Sequence, residues 1–551
     1  MLWLFIVATK LIKEKKYFKK LYMNQTFGFS GGGGGGSCPS TSIIDVDSGE
    51  RSSRRINNNN CASGEFSTAL GYYNTASNDY STVGGGSTNT ASGYASTIGG
   101  GKTHTASGYS STVSGGYFNT ASGVGSTIGG GRDNTSSSCY STVGGGKSNS
   151  SSGYKSTVSG GYCNTASNTL SSVGGGSTNT ASGKCSTISG GFTNIASAEN
   201  SFVGGGTLNS ACGDYSTVGG GNSNTAGGNF SFIGGGNSNT ASGYSSFVGG
   251  GISNQAYFHY SAVVGGKANS NSGYYSTISG GYCNTISSYT YCSTISGGYN
   301  NIVSGGSASI VGGRQNTASG NFSFIGGGNF NSATNGYSTA SGGYCNSSLG
   351  AISTIGGGFG NTACNDYSTI GGGQGNTASG NYSTIGGGIT NTASSNYSTI
   401  GGGIGNTASN KYSTIGGGAT NTASGYKSTI SGGSCNTASG GCSTVSGGIG
   451  NTASGKWSSI AGGIVNLSSG DMSFVGGGNG NTASAYASGI LGGQNNLASC
   501  NCSYIVGSNI TSDRVCTTFV NNLSIMNIPT SSAGLPIGSV YSTGAGTLRI
   551  V

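Results

Sequence analysis

Single β-branched residues recur along this chain on a fixed 15-residue step, beginning Val83, Ile98, Val113, Ile128 and continuing to Ile278. A two-residue insertion moves the next one to Ile295, and the step then holds through Ile385, Ile400 and Ile415 to Ile505. Of these 29 anchors only Ala340 is neither Val nor Ile. A polar column runs beside them: Asn89, Asn119, Asn134 and their equivalents to Asn496, 28 positions broken once, by His104. Self-similarity this regular predicts a repeat architecture before local propensity is consulted.

Within one unit the pattern is that of strands. Alternate side chains of a strand face opposite ways, so Ser81 and Val83 share one face and Thr82 takes the other. Asn89 and Ala91 likewise share a face, with Thr90 and Ser92 opposite. Each unit therefore reads as a coil of two short strands, separated by glycine turns at Gly85-Gly86 and Gly93. Val or Ile at the anchor suits a pleated, buried surface. Stacked coils would place anchor on anchor and Asn on Asn, with the amides forming a ladder inside the stack. The expected fold is all-β: a parallel β-solenoid of about 29 coils, about 140 Å long at about 4.8 Å per coil. Val83, Ile98, Val113, Ile128, Ile385, Ile400 and Ile415, with Asn89, Asn119 and Asn134, are its expected core.

Composition narrows the alternatives. The chain has 115 Gly but only 3 Pro in 551 residues, and 6% of it is charged. Collagen needs Gly at every third position and abundant Pro. Disorder does not keep apolar residues in phase. Each coil offers little apolar surface besides its anchor and Ala, so further burial is expected from outward Tyr: Tyr80, Tyr140, Tyr215, Tyr260, Tyr367, Tyr382, Tyr397 and Tyr412. That predicts chains side by side, most simply a homotrimer.

The flanks differ from the array. Residues 1–22 join a short apolar run to Lys10, Lys13, Lys15, Lys16, Lys19 and Lys20. They read as a leader outside the functional rod, with membrane-surface association as the alternative. Residues 23–73 form a Gly-rich segment; Arg51, Arg54 and Arg55 without interleaved aromatics do not indicate nucleic acid. The array spans 74–505. From 506 to 551 the period is expected to stop, giving a strand at Thr518–Ile525 and a hairpin about Gly544-Ala-Gly546.

The unit Ala-Ser-Gly-x-Tyr-Ser-Thr-Ile-Gly-Gly-Gly, as at Ala378–Gly388, resembles the head repeats of trimeric autotransporter adhesins. The resemblance implies a left-handed β-roll, three chains side by side, and binding to host surfaces. That family's signal peptide, heptad stalk and membrane barrel are not read here. Phe519-Val-Asn-Asn-Leu, Ala533-Gly-Leu-Pro-Ile-Gly and the final Gly-Thr-Leu-Arg-Ile-Val551 resemble the C-terminal segments of phage and giant-virus tail-fibre-like proteins. Together these imply a structural and attachment fibre on a virion surface, or alternatively a bacterial cell-surface adhesin, with a host receptor or glycan as partner. Tyr80, Tyr140, Tyr367, Tyr382, Tyr397 and Tyr412 are the candidate binding surface.

Catalytic chemistry is sparse. His104 and His259 are the only histidines, and His104 reads as a polar substitute in the Asn column. Glu199 and Asp214 fall one coil apart, near the carboxyl separation of a retaining glycosidase, yet read as surface acids. Gly101-Lys102-Thr103 and Gly146-Lys147-Ser148 lack the first Gly of a phosphate loop and the helix after it. The fifteen Cys show no Cys-x-x-Cys, and members of a column such as Cys185, Cys292, Cys442 and Cys502 lie several coils apart, which predicts free thiols. No enzyme activity, cofactor or metal is expected. A fibre-borne depolymerase rests only on the Glu199/Asp214 pair. Ice binding rests on the outward row Thr82, Thr97, Thr112, Thr127 and Thr142, which Phe202, Phe232, Phe247, Phe324 and Phe474 interrupt.

Overall fold

A computed structural model of the protein describes residues 59–522 and, outside that stretch, 44–45, 53–55, 529–537, 539–542 and 548–550. The chain divides into Met1–Asp45, of which only the strand Ile44–Asp45 is described, and Val46–Val551, which contains the repeats. The leader 1–22, much of the segment 23–73 and the turn residues 544–546 lie outside the described residues.

The repeats form a parallel β-solenoid of about 31 turns, with no helix among the described residues. Each coil carries two strands, such as Thr82–Val83 and Thr90–Ala91. Each strand pairs in parallel with its equivalent one coil on, Val83 with Ile98 and Ala91 with Ala106. A third line of single bridges, beginning Tyr72 to Ser87 and Ser87 to Lys102, runs up the corner between them. Strand amides donate to the following coil: Thr82 to Ser96 O at 2.8 Å, Thr90 to His104 O at 2.7 Å.

The core is what the pattern requires. Ser81, Val83, Asn89 and Ala91 are fully buried, while the alternate Thr82 and Thr90 are half-buried. Every anchor among those expected, Val83, Ile98, Val113, Ile128, Ile385, Ile400 and Ile415 included, is buried. So is Ala340, the one small residue among them.

At the corner, Gly86 has φ +82°, and a Cβ there would collide with the Gly101 carbonyl and the Asn89 side chain. Gly is required at that position. Gly85, grouped with it from sequence, has open space where its Cβ would be.

The stacking extends beyond the expected bounds 74–505. At the start, Ser53–Arg55 pairs with Thr68–Ala69, which pairs with Thr82–Val83 on a 14-residue step. At the end, Tyr504–Val506 pairs in parallel with Thr518–Val520, again 14 residues on. Thr518–Val520 is thus the last strand of the solenoid and not part of a separate tail. Both short coils lose a residue at the open Gly85-type corner, where Gly71 aligns with Gly86 and Val506 with Gly492. The two-residue insertion falls at the other turn: Tyr274 bridges to Tyr291, so the ladder keeps register while Ser288 and Tyr289 bulge out and Thr290 is buried. Val540–Ser542 pairs antiparallel with Leu548–Ile550, as a hairpin about 544–546 requires.

Candidate functional site

Each coil turns outward at the Tyr80 position, and that residue adopts the left-handed backbone: φ is 58° at Tyr80, 57° at Tyr140, 58° at Tyr367, 57° at Tyr382, 60° at Tyr397 and 62° at Tyr412. Such a conformation costs a non-glycine residue roughly 1 kcal/mol or more. It also turns the amide against the sense of the strands. Tyr382 N–H donates back to Asp366 O at 3.0 Å and Tyr397 N–H to Asn381 O at 2.9 Å. The turn thereby bonds to the coil below while the strands bond to the coil above.

Four of the predicted surface tyrosines meet. Tyr367, Tyr382, Tyr397 and Tyr412 form one continuous stack with centroids 4.6, 5.0 and 5.0 Å apart and ring planes within 15°. The stack ends in an edge contact with Tyr426, and Lys411 lies 5.2 Å from the Tyr412 ring. Tyr382 has its phenol pKa raised by desolvation between its neighbours, with Tyr367, Tyr397 and Asp366 adding to it. Tyr80 and Tyr140 do not join this column: Tyr80 stacks on Phe66 and Tyr140 meets Tyr154 edge-on. The arrangement changes what the column can offer. Ring faces inside the stack are covered by one another, so the exposed parts are ring edges and phenol hydroxyls, a row of hydrogen-bonding groups about 5 Å apart. The stack also supplies, within one chain, ring contacts that the sequence reading assigned to neighbouring chains.

The Asn column is a relay between coils. Asn89 Oδ1 accepts from the His104 amide at 2.9 Å, and Asn89 Nδ2 donates to Gly85 O and to Gly101 O of the next coil. The ladder thus runs through backbone groups as much as through amide pairs. His104 reproduces the acceptor half: its Nδ1 accepts from Asn119 N–H at 3.0 Å. Its Nε2 faces the Gly116 carbonyl at a geometry that makes no hydrogen bond. Burial pushes the imidazole pKa below its ordinary value.

The acids serve the turn. Asp214 Oδ1 accepts from the Glu199 amide at 3.1 Å, and Glu199 pairs with exposed Lys184 at 2.9 Å. Asp79, Asp366 and Asp471 cap the amides of Glu65, Ala351 and Lys456 in the same way. Asn229, Asn321, Asn396 and Asn501 repeat the contact. His259 does so too, through Nδ1 to Tyr244 N–H at 3.3 Å. Sequence reading missed this function; its signal was the recurrence of Asp and Asn one residue before the outward turn position. Among the described residues no cluster of three metal-ligating side chains is present. No helix among them is long and apolar enough to cross a membrane.

Compared with known proteins, the chain matches no family model and no curated sequence.

Proposed function

We propose that the protein is a non-enzymatic structural and attachment fibre, a shaft that holds a binding surface away from a particle, most simply a virion. The observation that supports this is the coil-to-coil pairing, which continues from Ser53–Arg55 to Thr518–Val520 without a gap. A stack of that kind extends about 150 Å at about 4.8 Å per coil. The Tyr367–Tyr412 column is the proposed contact for a host glycan, whose hydroxyls would meet the row of phenols. Homotrimer formation belongs to the same proposal. Its support is an exposed apolar corner carrying Ile389, Ile404, Ile449, Ile464 and Val465. A bacterial surface adhesin of the trimeric autotransporter type would use the same features.

Negative-stain imaging with sedimentation of the full chain tests the reading. Rods of about that length, three chains in cross-section, are expected; compact globules would overturn it.

One observation favours ice or ordered-water binding as a second reading. The phenylalanines that break the outward row are absent between Thr339 and Thr444, where eight successive coils present Thr. Absence of thermal hysteresis in the pure protein would eliminate that reading.

A further inference from the structure

With a period ending at Ile505, every cysteine of the outward turn column stands isolated in the sequence. The continued stacking changes this. Tyr504 pairs with Thr518, so the residues two positions earlier, Cys502 and Cys516, occupy the same column in adjoining coils. Both adopt the left-handed backbone, with φ 54° and 52°. Their amides make the same backward bond, Cys502 to Tyr486 O at 2.9 Å and Cys516 to Asn501 O at 3.0 Å. Residues stacked this way have Cα atoms about 4.8 Å apart, inside the range of about 4.4–6.8 Å that a disulfide needs. The column directs its side chains alongside one another, as the tyrosine stack demonstrates. Desolvation raises the Cys502 thiol pKa, and the Cys516 thiol beside it adds to the shift. Among the described residues, no other cysteine shares a column with one in the adjoining coil.

We propose that Cys502 and Cys516 form a redox-responsive disulfide that staples the final coil to the stack. The final coil is where such a bond matters. Its Asn column position is filled by Ile510, whose amide donates to Asn496 Oδ1 at 3.0 Å but whose side chain has no group to pass the relay on. Its anchor position holds Phe519, partly buried where other coils bury Val or Ile. The coil therefore lacks two of the contacts that hold its neighbours.

The chemistry is thiol–disulfide exchange with a small-molecule disulfide such as oxidised glutathione. One cysteine thiolate attacks the small disulfide, forming a mixed disulfide and releasing one small thiol. The second cysteine thiolate then displaces the other small thiol and closes the Cys502–Cys516 bond. The protein gives up two protons and two electrons, and the oxidant becomes two thiols. In a reducing compartment the staple stays open, as free cysteines; on release to an oxidising one it closes. Cys500, two residues away, directs its Sγ to the Ser512 carbonyl at 3.4 Å and is not part of the pair.

The test is to equilibrate the full folded chain with oxidised glutathione, digest it without reduction, and map linked peptides by mass spectrometry. A Cys502–Cys516 peptide is expected, with amide exchange of Thr518–Val520 slowed at least several-fold relative to reduced protein. Cys516→Ser should remove the linked peptide and the slowing together. Two persistent free thiols, stable mixed disulfides at both positions, a Cys500–Cys502 link or an interchain link would each overturn the proposal. Mapping on the unaltered protein decides the matter even if the serine variant does not fold.

Discussion

Each coil has two polar corners, and they behave differently. At the Asn corner, the Gly86 and Asn89 positions repeat through the array with one substitution, His104. The Ser turn, Ser92 to Ser96, is far more permissive: the Gly93 position is also occupied by Asn78, Ser138, Ala198 and Phe258, and the two-residue insertion falls there. The bonding explains the contrast. Each Asn satisfies groups on the coil below, its own coil and the coil above, so a change propagates through the stack. At the insertion and the last coil, Ser276, Ser293 and Ser503 bond between coils. Elsewhere a turn serine bonds inside its own turn, as Ser186 Oγ does to Gly183 O at 2.7 Å, and in several coils it bonds nothing. The buried Ser column is broken as rarely as the Asn column, once, at Ala308, so the permissiveness lies in the other residues of the turn and not at the buried serine.

Removing one Asn from the middle of the ladder is the strongest way to break that comparison. Asn391 Oδ1 accepts from Asn406 N–H at 3.0 Å, and its Nδ2 donates to Gly387 O and Gly403 O. Asn391→Ala orphans those groups, at roughly 1–3 kcal/mol for each buried one, so a loss of about 4 kcal/mol is expected. Because repeats interact mainly with their neighbours, native-state hydrogen exchange should show the loss concentrated within a coil or two. Uniform destabilisation along the whole array would contradict the relay.

Adjacent glycines give the next largest contrast. Gly403 has φ +97° and a Cβ there would meet the Gly418 carbonyl and the Asn406 side chain, whereas a Cβ at Gly402 meets only Gly387 O, at 3.9 Å. Gly403→Ala should cost about 3 kcal/mol through strain and collision. Gly402→Ala should cost less than about 0.5 kcal/mol. Equal thermal shifts for the two would refute the assignment of the corner. In the outward column, Tyr397→Ala removes two stacked contacts and should cost about 1–2 kcal/mol. It should also weaken glycan binding if the phenol row is the contact.

Much of this was legible in the chain, and the illegible parts share a cause. Val83, Asn89, Ser81 and Ala91 report their burial through a strict period, which sequence displays directly. The left-handed backbone at Tyr382 or Tyr397 was hidden because tyrosine does not announce positive φ. Its trace lay in the one glycine of that column, Gly125, at φ 63°. The terminal coils were hidden by the loss of one residue at the open corner, which puts Ala69 and Phe519 out of step with the anchors. The tyrosine stack was assigned to other chains because a linear pattern gives the column of a side chain but not its contacts along it.

His104 tests the Asn corner more gently. Its pKa is lowered in the folded state, so the unfolded chain binds the proton more readily. Stability is therefore fully present above about pH 6.5, the ordinary histidine value, and falls as pH drops from there towards the folded pKa. Local exchange around His104 should quicken across that window. His104→Asn should abolish the pH dependence and add about 1 kcal/mol, by giving the buried Nε2 site a donor that reaches both carbonyls.

The smallest effect is the most discriminating, because it asks whether a buried hydroxyl matters at all. Ser383 Oγ is buried with no hydrogen-bond partner, while Ser353 Oγ bonds Ser348 Oγ at 2.6 Å and Gly350 O. The chain already contains an alanine in this column, Ala308, fully buried in a well-paired coil. Removing an unpaired hydroxyl relieves a desolvation penalty, so Ser383→Ala should be neutral or stabilising by up to about 1 kcal/mol. Ser353→Ala instead strands Ser348, which stands where other coils have alanine, and should cost about 1 kcal/mol. Double replacement of Ser348 and Ser353 by alanine should recover that loss, since it leaves no stranded hydroxyl at either position. Should Ser383→Ala prove as costly as Ser353→Ala, the turn serines would have to bond between coils after all, and the contrast between the two corners would rest on something other than their hydrogen bonds.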